Sequence, residues 1–272
     1  MNFSRNAEAE SALRKALTGQ WFGQDVECYD TIDSTNIRAR VLGGEPPAKA
    51  PHGALIVADR QISGRGRLNR SWDAEPGNAL LMSVLLRPEG LKAENGAALI
   101  FVAALAVCDA CRSIGADAAV KWPNDIVVSG RKVCGMLMET GLSGDAIDYA
   151  VMGIGVNVNG RPDPDAAPWA GCLRETVGRP LSRIEVLKPL ARAYEAWYDV
   201  WARGGTDALM PAYEQRCVTL GRPVQVVAAR ETYTAAALAL NGDGSLLVRR
   251  EDGREETVRA GDVSVRGVMG YV

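Results

Sequence analysis

The chain has 272 residues, 47% of them hydrophobic and 24% charged, and 31 lysines and arginines nearly balance 33 aspartates and glutamates. That length buries a sizeable core with room for one large and one small domain, while a formal net charge of −2 argues against a surface built as a whole for nucleic acid. A single histidine and six cysteines remove His-based triads and most catalytic zinc sites, and fit no disulfide framework in a chain this long.

Helical periodicity covers about residues 7–18, and VECYDTI reads as a strand. DSTNIRARVLGG reads as a short helix, capped by Asp33 or Ser34 and ended by Gly43 and Gly44. The proline-rich loop EPPAKAPHG leads to the strand ALIVADRQ, which runs directly into SGRGRLNRSW at 63–72. ALLMSVLLRP follows as a second buried strand, stopped by Pro88. Residues 95–114 make one long apolar helix ending near Gly115. Its run GAALIFVAALAVCDAC is broken by Asp109 and is too short to span a bilayer comfortably, and the N-terminus carries no apolar stretch of signal-peptide length. A cytoplasmic protein without membrane contact is therefore expected. Cys108 and Cys111 have redox or zinc spacing, but lie in this apolar helix and read as core.

Beyond it come AAVKW, a WPND turn, IVV, an SGR turn, KVCGMLMET and AIDYAVMGIGVNVN. Strands grouped around one or two buried helices predict an α+β layer rather than alternating βαβ units. After the loop RPDPDAAP, Ser182 and Glu185 form a capping box opening a helix toward Arg203. Pro189 inside it predicts a kink or a later start. A short helix covers about 206–216. From Leu220 on, five short β-type segments separated by NGDG and EDGR turns read as a small barrel. The expected division is a domain at 1–218 and a second at 219–272.

The loop SGRGRLNRSW concentrates charge that the rest of the chain lacks. GRGRLN nearly matches a dinucleotide fingerprint, but SWDAEPGNALL leads into a strand instead of the helix such a site requires. Gly64 and Gly66 permit close approach of main-chain N–H groups to a ligand. Arg65, Arg67 and Arg70 supply fixed charge and bidentate donors suited to phosphate or carboxylate, and Trp72 offers a wall for a planar ring. Taken alone, the same residues also fit a solvated basic loop or a weak RNA-binding patch. In KWPNDIVVSGRKVCGMLMET a tight turn displays Asn124 and Asp125. Lys132 then enters an apolar strand, either as an edge residue reaching solvent or turned inward toward an anion, with Gly135 three residues on. GIGVNVN sets Gly153 and Gly155 beside Asn157 and Asn159, making room for a flat ligand or marking a bulge.

Together with DSTN upstream, these stretches resemble the catalytic domain of biotin protein ligases, in family order from residue 33 to about 159, and the trailing barrel fits that family's SH3-like C-terminal domain. The resemblance implies a central mixed β-sheet with flanking helices, like the biotin/lipoate ligases and class II synthetases. It implies activation of biotin with ATP to biotinyl-5′-adenylate, with Mg²⁺ on the triphosphate, and transfer to a lysine of a biotin carboxyl carrier protein domain. By motif, Ser34, Thr35, Asn36 and Gln61 would hold the biotin head. Gly64, Arg65, Gly66 and Arg67 would form a loop closing over biotin and phosphate. Lys132 would sit by the biotin carboxylate, and Trp72, Asn124, Asp125, Gly135, Gly155 and Asn157 would line the biotin and adenine side. Lys132, Arg65 and Arg67 are the expected catalytic residues, and no protein metal site is expected. A carboxylate is already a nucleophile, so the first step needs no general base, which agrees with a chain holding one histidine.

Many relatives have Arg-Gly where this chain has Leu68 and Asn69, which predicts a loop less mobile when empty. About thirty residues precede DSTN, fewer than a winged-helix domain needs, so no DNA-binding repressor role is expected. The family contains monomers and dimers joined through central sheets, and a homodimer is one state it allows. The rival readings are a lipoate or octanoate ligase, against which the arginine loop and barrel argue, and a non-catalytic cofactor-binding module.

Overall fold

In the computed structural model the described residues are 4–44, 50–165, 167–228, 231–260, 263–267 and 271–272. Seven strands form the main sheet: β1 (Val26–Ile32), β2 (Leu55–Gln61), β3 (Ala79–Leu86), β4 (Ala118–Lys121), β5 (Asp125–Val128), β6 (Arg131–Ser143) and β7 (Ala146–Asn157), in the order β1-β2-β3-β7-β6-β5-β4. Only β1 and β2 run parallel. A parallel pair needs a crossover, and the helix α2 (Thr35–Gly44) supplies it. The remaining neighbours are antiparallel; short turns at 122–124, 129–130 and 144–145 join β4 to β5, β5 to β6 and β6 to β7, and the longer loop 62–78 joins β2 to β3. The expected mixed sheet with flanking helices is the architecture found.

Strand alternation sorts the side chains. On β3 and β7 the even-numbered Leu80, Met82, Val84, Met152, Ile154 and Val156 join one large core. Across it lie α3 (Ala97–Ser113) and α5 (Arg183–Gly204). The odd-numbered Leu85 and Val151 join a smaller cluster with Ile32, Ile56 and Ala39 of α2 on the opposite face. Helix α3 is apolar nearly all round because it is covered all round. With the turn before it, 93–113 is long and apolar enough to cross a membrane, but 72% of its most apolar window is buried inside the protein. Burial, rather than the expected shortness of the run, accounts for its composition. All six cysteines are buried and free. Desolvation pushes the Cys108 thiol up to about 12 and Cys111 higher still, so this pair packs as hydrophobes.

Two local expectations change. Helix α5 starts at Arg183, capped as expected by Ser182 with Glu185 reciprocating, and continues past Pro189 to Gly204, so the later start is not what is found. The Asp33 carboxylate accepts the neighbouring Ser34 N–H at 2.6 Å. The Ser34 carbonyl accepts from Arg38 N, which sets Ser34 at the cap of α2 through its backbone. The short helix expected over 206–216 is a 3₁₀ turn at Thr206–Ala208 followed by α6 (Met210–Arg216). The remaining helices are α1 (Ala7–Ala16) and the single turn α4 (Leu173–Val177).

The five strands read as a barrel form one antiparallel sheet, β8 (Pro223–Ala228), β9 (Thr232–Leu240), β10 (Leu246–Arg250), β11 (Glu255–Val258) and β12 (Val263–Gly267), in the order β11-β10-β9-β8-β12. It is packed on the main domain. Val226, Leu246, Val248 and Val265 share a continuous buried cluster with Phe101, Trp122 and Tyr213. Trp122 donates through Nε1 to Gly244 O at 3.0 Å and through its N–H to Thr219 Oγ1 at 2.9 Å.

Candidate active site

Sheet register builds the floor of the site. Leu81 pairs with Gly155, Gly155 with Gly135, Gly135 with Asp125, and Asp125 with Lys121, one row crossing β3, β7, β6, β5 and β4. Above this row opens a cleft of about 860 Å³. The two glycines leave the sheet bare there, and Trp72 lies over them. A Cβ at Gly155 would fall 2.5 Å from the indole, and one at Gly135 2.7 Å from it. The buried Trp72 Nε1 has no hydrogen-bond partner among the described residues, leaving a donor free for an acceptor on a ligand.

Lys132 reaches this face because of a bulge. Strict alternation would send its side chain with Cys134 and Met136 into the core. The ladder between β5 and β6 slips at Ile126/Val127, so that Val127 pairs with Lys132 and Ile126 with Cys134. One extra residue, Val133, is absorbed, and Lys132 changes face to join Gly135. Of the two sequence alternatives, the inward one is observed. Lys132 Nζ lies 2.6 Å from Asp125 Oδ1 and 5.5 Å from the centre of the Trp72 ring. Burial works to raise the Asp125 pKa. Lys132, Lys121 and the hydrogen bonds from Lys132 and Tyr271 overcome it and hold the carboxyl below its ordinary value.

At the α2 end the groups interlock. Thr35 donates through its N–H and its hydroxyl to Gln61 Oε1 at 2.8 and 3.0 Å. Ser83 Oγ lies 2.8 Å from Thr35 Oγ1 and 2.6 Å from Asn36 Oδ1, and can donate its proton to either. Asn36 Nδ2 donates to Glu139 Oε2 at 2.9 Å. Gly153 makes room for the Asn36 amide, which a Cβ there would strike.

The arginine loop folds back on itself. Gly66 N donates to Arg70 O at 2.7 Å and Trp72 N to Gly64 O at 3.0 Å. Leu68, 53% exposed, has φ +54°, which costs a non-glycine residue about 1 kcal/mol. Arg65 Nη1 lies 3.2 Å from Glu139 Oε1, where Arg40 also arrives. Arg67 donates to Asn124 Oδ1 at 2.9 Å and to Ala260 O of the C-terminal unit. Asn124 in turn gives its Nδ2 to Met136 O at 2.6 Å, so its amide orientation is fixed from both ends.

Thirteen of the fifteen residues singled out in the sequence line this cleft; Gly64 and Asn157 do not. Gly64 sits behind the loop, with no room for a side chain against the Trp72 backbone. Asn157 is buried and donates to Gly171 O at 3.0 Å, holding the strap that passes Lys132. Ser83, Lys121, Trp169 and Tyr271 were not singled out. Ser83 is a lone hydroxyl in an apolar strand. Tyr271 lies 146 residues from Asp125, whose carboxylate it meets. Lys121 had a signal, as the first residue of KWPND, but its chemistry appears only once it is buried. Its ammonium donates to Val265 O at 2.8 Å and lies 4.2 Å from the centre of the Tyr271 ring.

Seven cations, Arg65, Arg67, Arg70, Lys121, Arg131, Lys132 and Arg266, thus line one cleft with two carboxylates, Asp73 and Asp125. Such an excess suits an anionic ligand. Residues 29–157 match the Biotin/lipoate A/B protein ligase family, and residues 219–266 match the Biotin protein ligase C terminal domain. The chain is 34% identical to a biotin–[acetyl-CoA-carboxylase] ligase of Paracoccus denitrificans over 82% of its own length and 93% of that protein. It is 30% identical to the bifunctional ligase/repressor BirA of Bacillus subtilis over 90% of its own length and 75% of that one. Its fold is similar to that of the Aquifex aeolicus biotin protein ligase in complex with biotin and ATP, with TM-score 0.76 and 30% identity, covering 90% of this chain and 99% of that one. With both of its units matched and the cleft lying between them, the chain belongs to the biotin protein ligase family.

Proposed function

We propose that this ligase uses ATP to activate biotin and passes it to a lysine of a biotin carboxyl carrier protein domain. The observation that carries the reading is the convergence of Lys132, Arg65 and Arg67 on one cleft whose floor is a pair of facing glycines under Trp72. In the first step a biotin carboxylate oxygen attacks the α-phosphorus, the bond to the bridging oxygen breaks, and pyrophosphate leaves with the electron pair. In the second, a neutral lysine amine attacks the mixed anhydride, loses a proton, and AMP leaves.

Bringing a carboxylate against a triphosphate costs a few kcal/mol of Coulomb energy at an effective dielectric of about 20. Lys132 and the two arginines offset that repulsion and stabilise charge growing on the phosphorus oxygens. Their present partners, Asp125, Glu139 and Asn124, hold them in place until an anion competes. Thr35, Asn36 and Gln61 supply a polar end for the biotin ring system, and Trp72 an apolar wall. A closed loop would keep water from the anhydride.

Among the described residues no group of three or more His, Cys, Asp or Glu could hold an ion. Mg²⁺ would arrive on the triphosphate, where phosphate oxygens and water supply most of its ligands. The domain matches support 1–218 as the catalytic unit and 219–272 as its C-terminal partner. Free, buried cysteines support a cytoplasmic setting. The net charge of −2 supports a ligase without operator binding. A homodimer joined through the central sheets is one state this reading allows, and sedimentation would detect it.

Pyrophosphate release from ATP, with biotin, lipoate or octanoate supplied separately, tests the reading. Release is expected with biotin only, and Lys132→Ala is expected to lower it at least a hundredfold, the usual scale for a lost transition-state charge contact. Release with lipoate or octanoate would move the chain to the sister specificity. No release with any acid would leave the cleft a binding module.

A further inference from the structure

Asp125 is the carboxylate that fixes Lys132, and something must fix Asp125. Its Oδ1 faces Lys132 Nζ, while its Oδ2 accepts the hydroxyl of Tyr271. Tyr271 stands four residues beyond β12, on the C-terminal unit. Three contacts hold its ring and backbone. Its carbonyl accepts from Gly267 N at 3.4 Å, its ring stacks on Trp169 with 6.2 Å between centroids and 10° between planes, and the Lys121 ammonium lies over its face. Lys121 is tied to the same unit through Val265 O.

We propose that Tyr271 is a positioning residue for adenylate formation, orienting Asp125 so that Lys132 is held at the reacting carboxylate and phosphate, and that the C-terminal unit thereby completes the active site. The proposal rests on the role given to Lys132 above. A carboxylate with one oxygen on an ammonium can still rotate; a donor on the second oxygen removes that freedom. A phenol suits the task because, held beside this carboxylate in a buried place, its pKa is driven far above the ordinary value by desolvation and then by Asp125 itself. It stays a donor across the working range. The charged or titratable groups that face Asp125 are Lys121 on β4, Lys132 and Cys134 on β6, Arg67 on the loop, Tyr213 on α6 and Tyr271. Among them, Tyr271 hydrogen-bonds to its carboxylate and Lys132 forms an ion pair with it.

Tyr271→Phe keeps the ring, its stacking and the cation above it, and removes only the hydroxyl. The test is the pH profile of biotin-dependent pyrophosphate release for wild type, Tyr271→Phe, Tyr271→Ala and Lys132→Ala, with melting temperature recorded for each. We expect Tyr271→Phe to lower kcat about tenfold, the scale of a lost hydrogen bond to a charged group, with the KM for biotin little changed. Its acid limb should move upward by about one pH unit, because a carboxylate that loses a donor protonates at higher pH. Tyr271→Ala should lower kcat further.

A Tyr271→Phe profile that superimposes on wild type, or a faster reaction, would overturn the inference. The second result would instead mark Tyr271 as a placeholder that the nucleotide must displace. Lys132→Ala separates the two levels. Loss of activity in that variant with Tyr271→Phe unaltered sinks only the role of Tyr271, whereas retained activity in Lys132→Ala sinks the role of the lysine itself.

Discussion

Lys121 is 5% exposed and carries an ammonium whose partners are a backbone carbonyl and an aromatic face. Desolvation pulls its pKa down to about 8; Asp125 opposes the shift, and Lys132, Arg266 and Arg67 add to it. The sign of the consequence follows from proton counting. The unfolded chain holds this proton up to about pH 10.4. Between about 8 and 10.4 the unfolded state therefore binds more protons than the folded one, and this group's contribution to stability rises with pH. Below about 8 the whole penalty of a buried charge is present. Lys121→Met removes it, so the stability of the variant relative to wild type should be greatest below pH 8 and should shrink by about 3 kcal/mol by pH 10.5. Urea unfolding of both proteins across that range checks this. A difference independent of pH would mean that Lys121 is already neutral or well solvated. Retaining so costly a group fits a cleft that needs positive charge when its ligand arrives.

Among the elements, the arginine loop is the one whose behaviour the sequence most directly exposed. Two glycines and three arginines in ten positions identified it, and the structure adds how it is held. A small hairpin closes between Arg65 and Ser71, and Arg65 and Arg67 anchor it to Glu139, Asn124 and Ala260. The amides of Gly66 and Trp72, bonded within the loop, should exchange more slowly than that of Leu68, and biotin should slow all of them. Equal exchange with and without biotin would contradict a loop that tightens on its ligand. Strand identities were legible mostly from apolar runs bounded by turn residues. Register was not, and register is what places Gly135, Gly155, Asp125 and Lys121 in one row. The bulge at Val133 carries no composition signal, since valine suits a regular strand equally well. Hence the sequence left the direction of Lys132 open, and only the slip in the β5–β6 ladder decides it.

At the scale of the whole molecule, the change of character near Leu220 marks a boundary that the chain's energetics ignore. Tyr271 could not be found from the sequence because its meaning depends on where the second unit docks. That docking is apolar where Val226, Leu246 and Val265 join the cluster of Phe101 and Tyr213, and polar toward the cleft. The polar contacts, Trp122 to Gly244, Lys121 to Val265, Arg67 to Ala260 and Tyr271 to Asp125, all start from residues that line the cleft. Separating the units would expose apolar surface worth roughly 25 cal/mol per Å² and would strip Lys121 and Arg67 of partners. Independent unfolding of the small unit would therefore cost far more than a linker allows, and the chain should unfold in a single step. Guanidinium denaturation followed by tryptophan fluorescence, dominated by the main domain where the tryptophans lie, and by far-ultraviolet circular dichroism should give coincident midpoints. Two separated transitions would mean that the C-terminal unit can leave while the cleft persists, and that its contacts to Asp125 and Lys121 are too weak to govern the site.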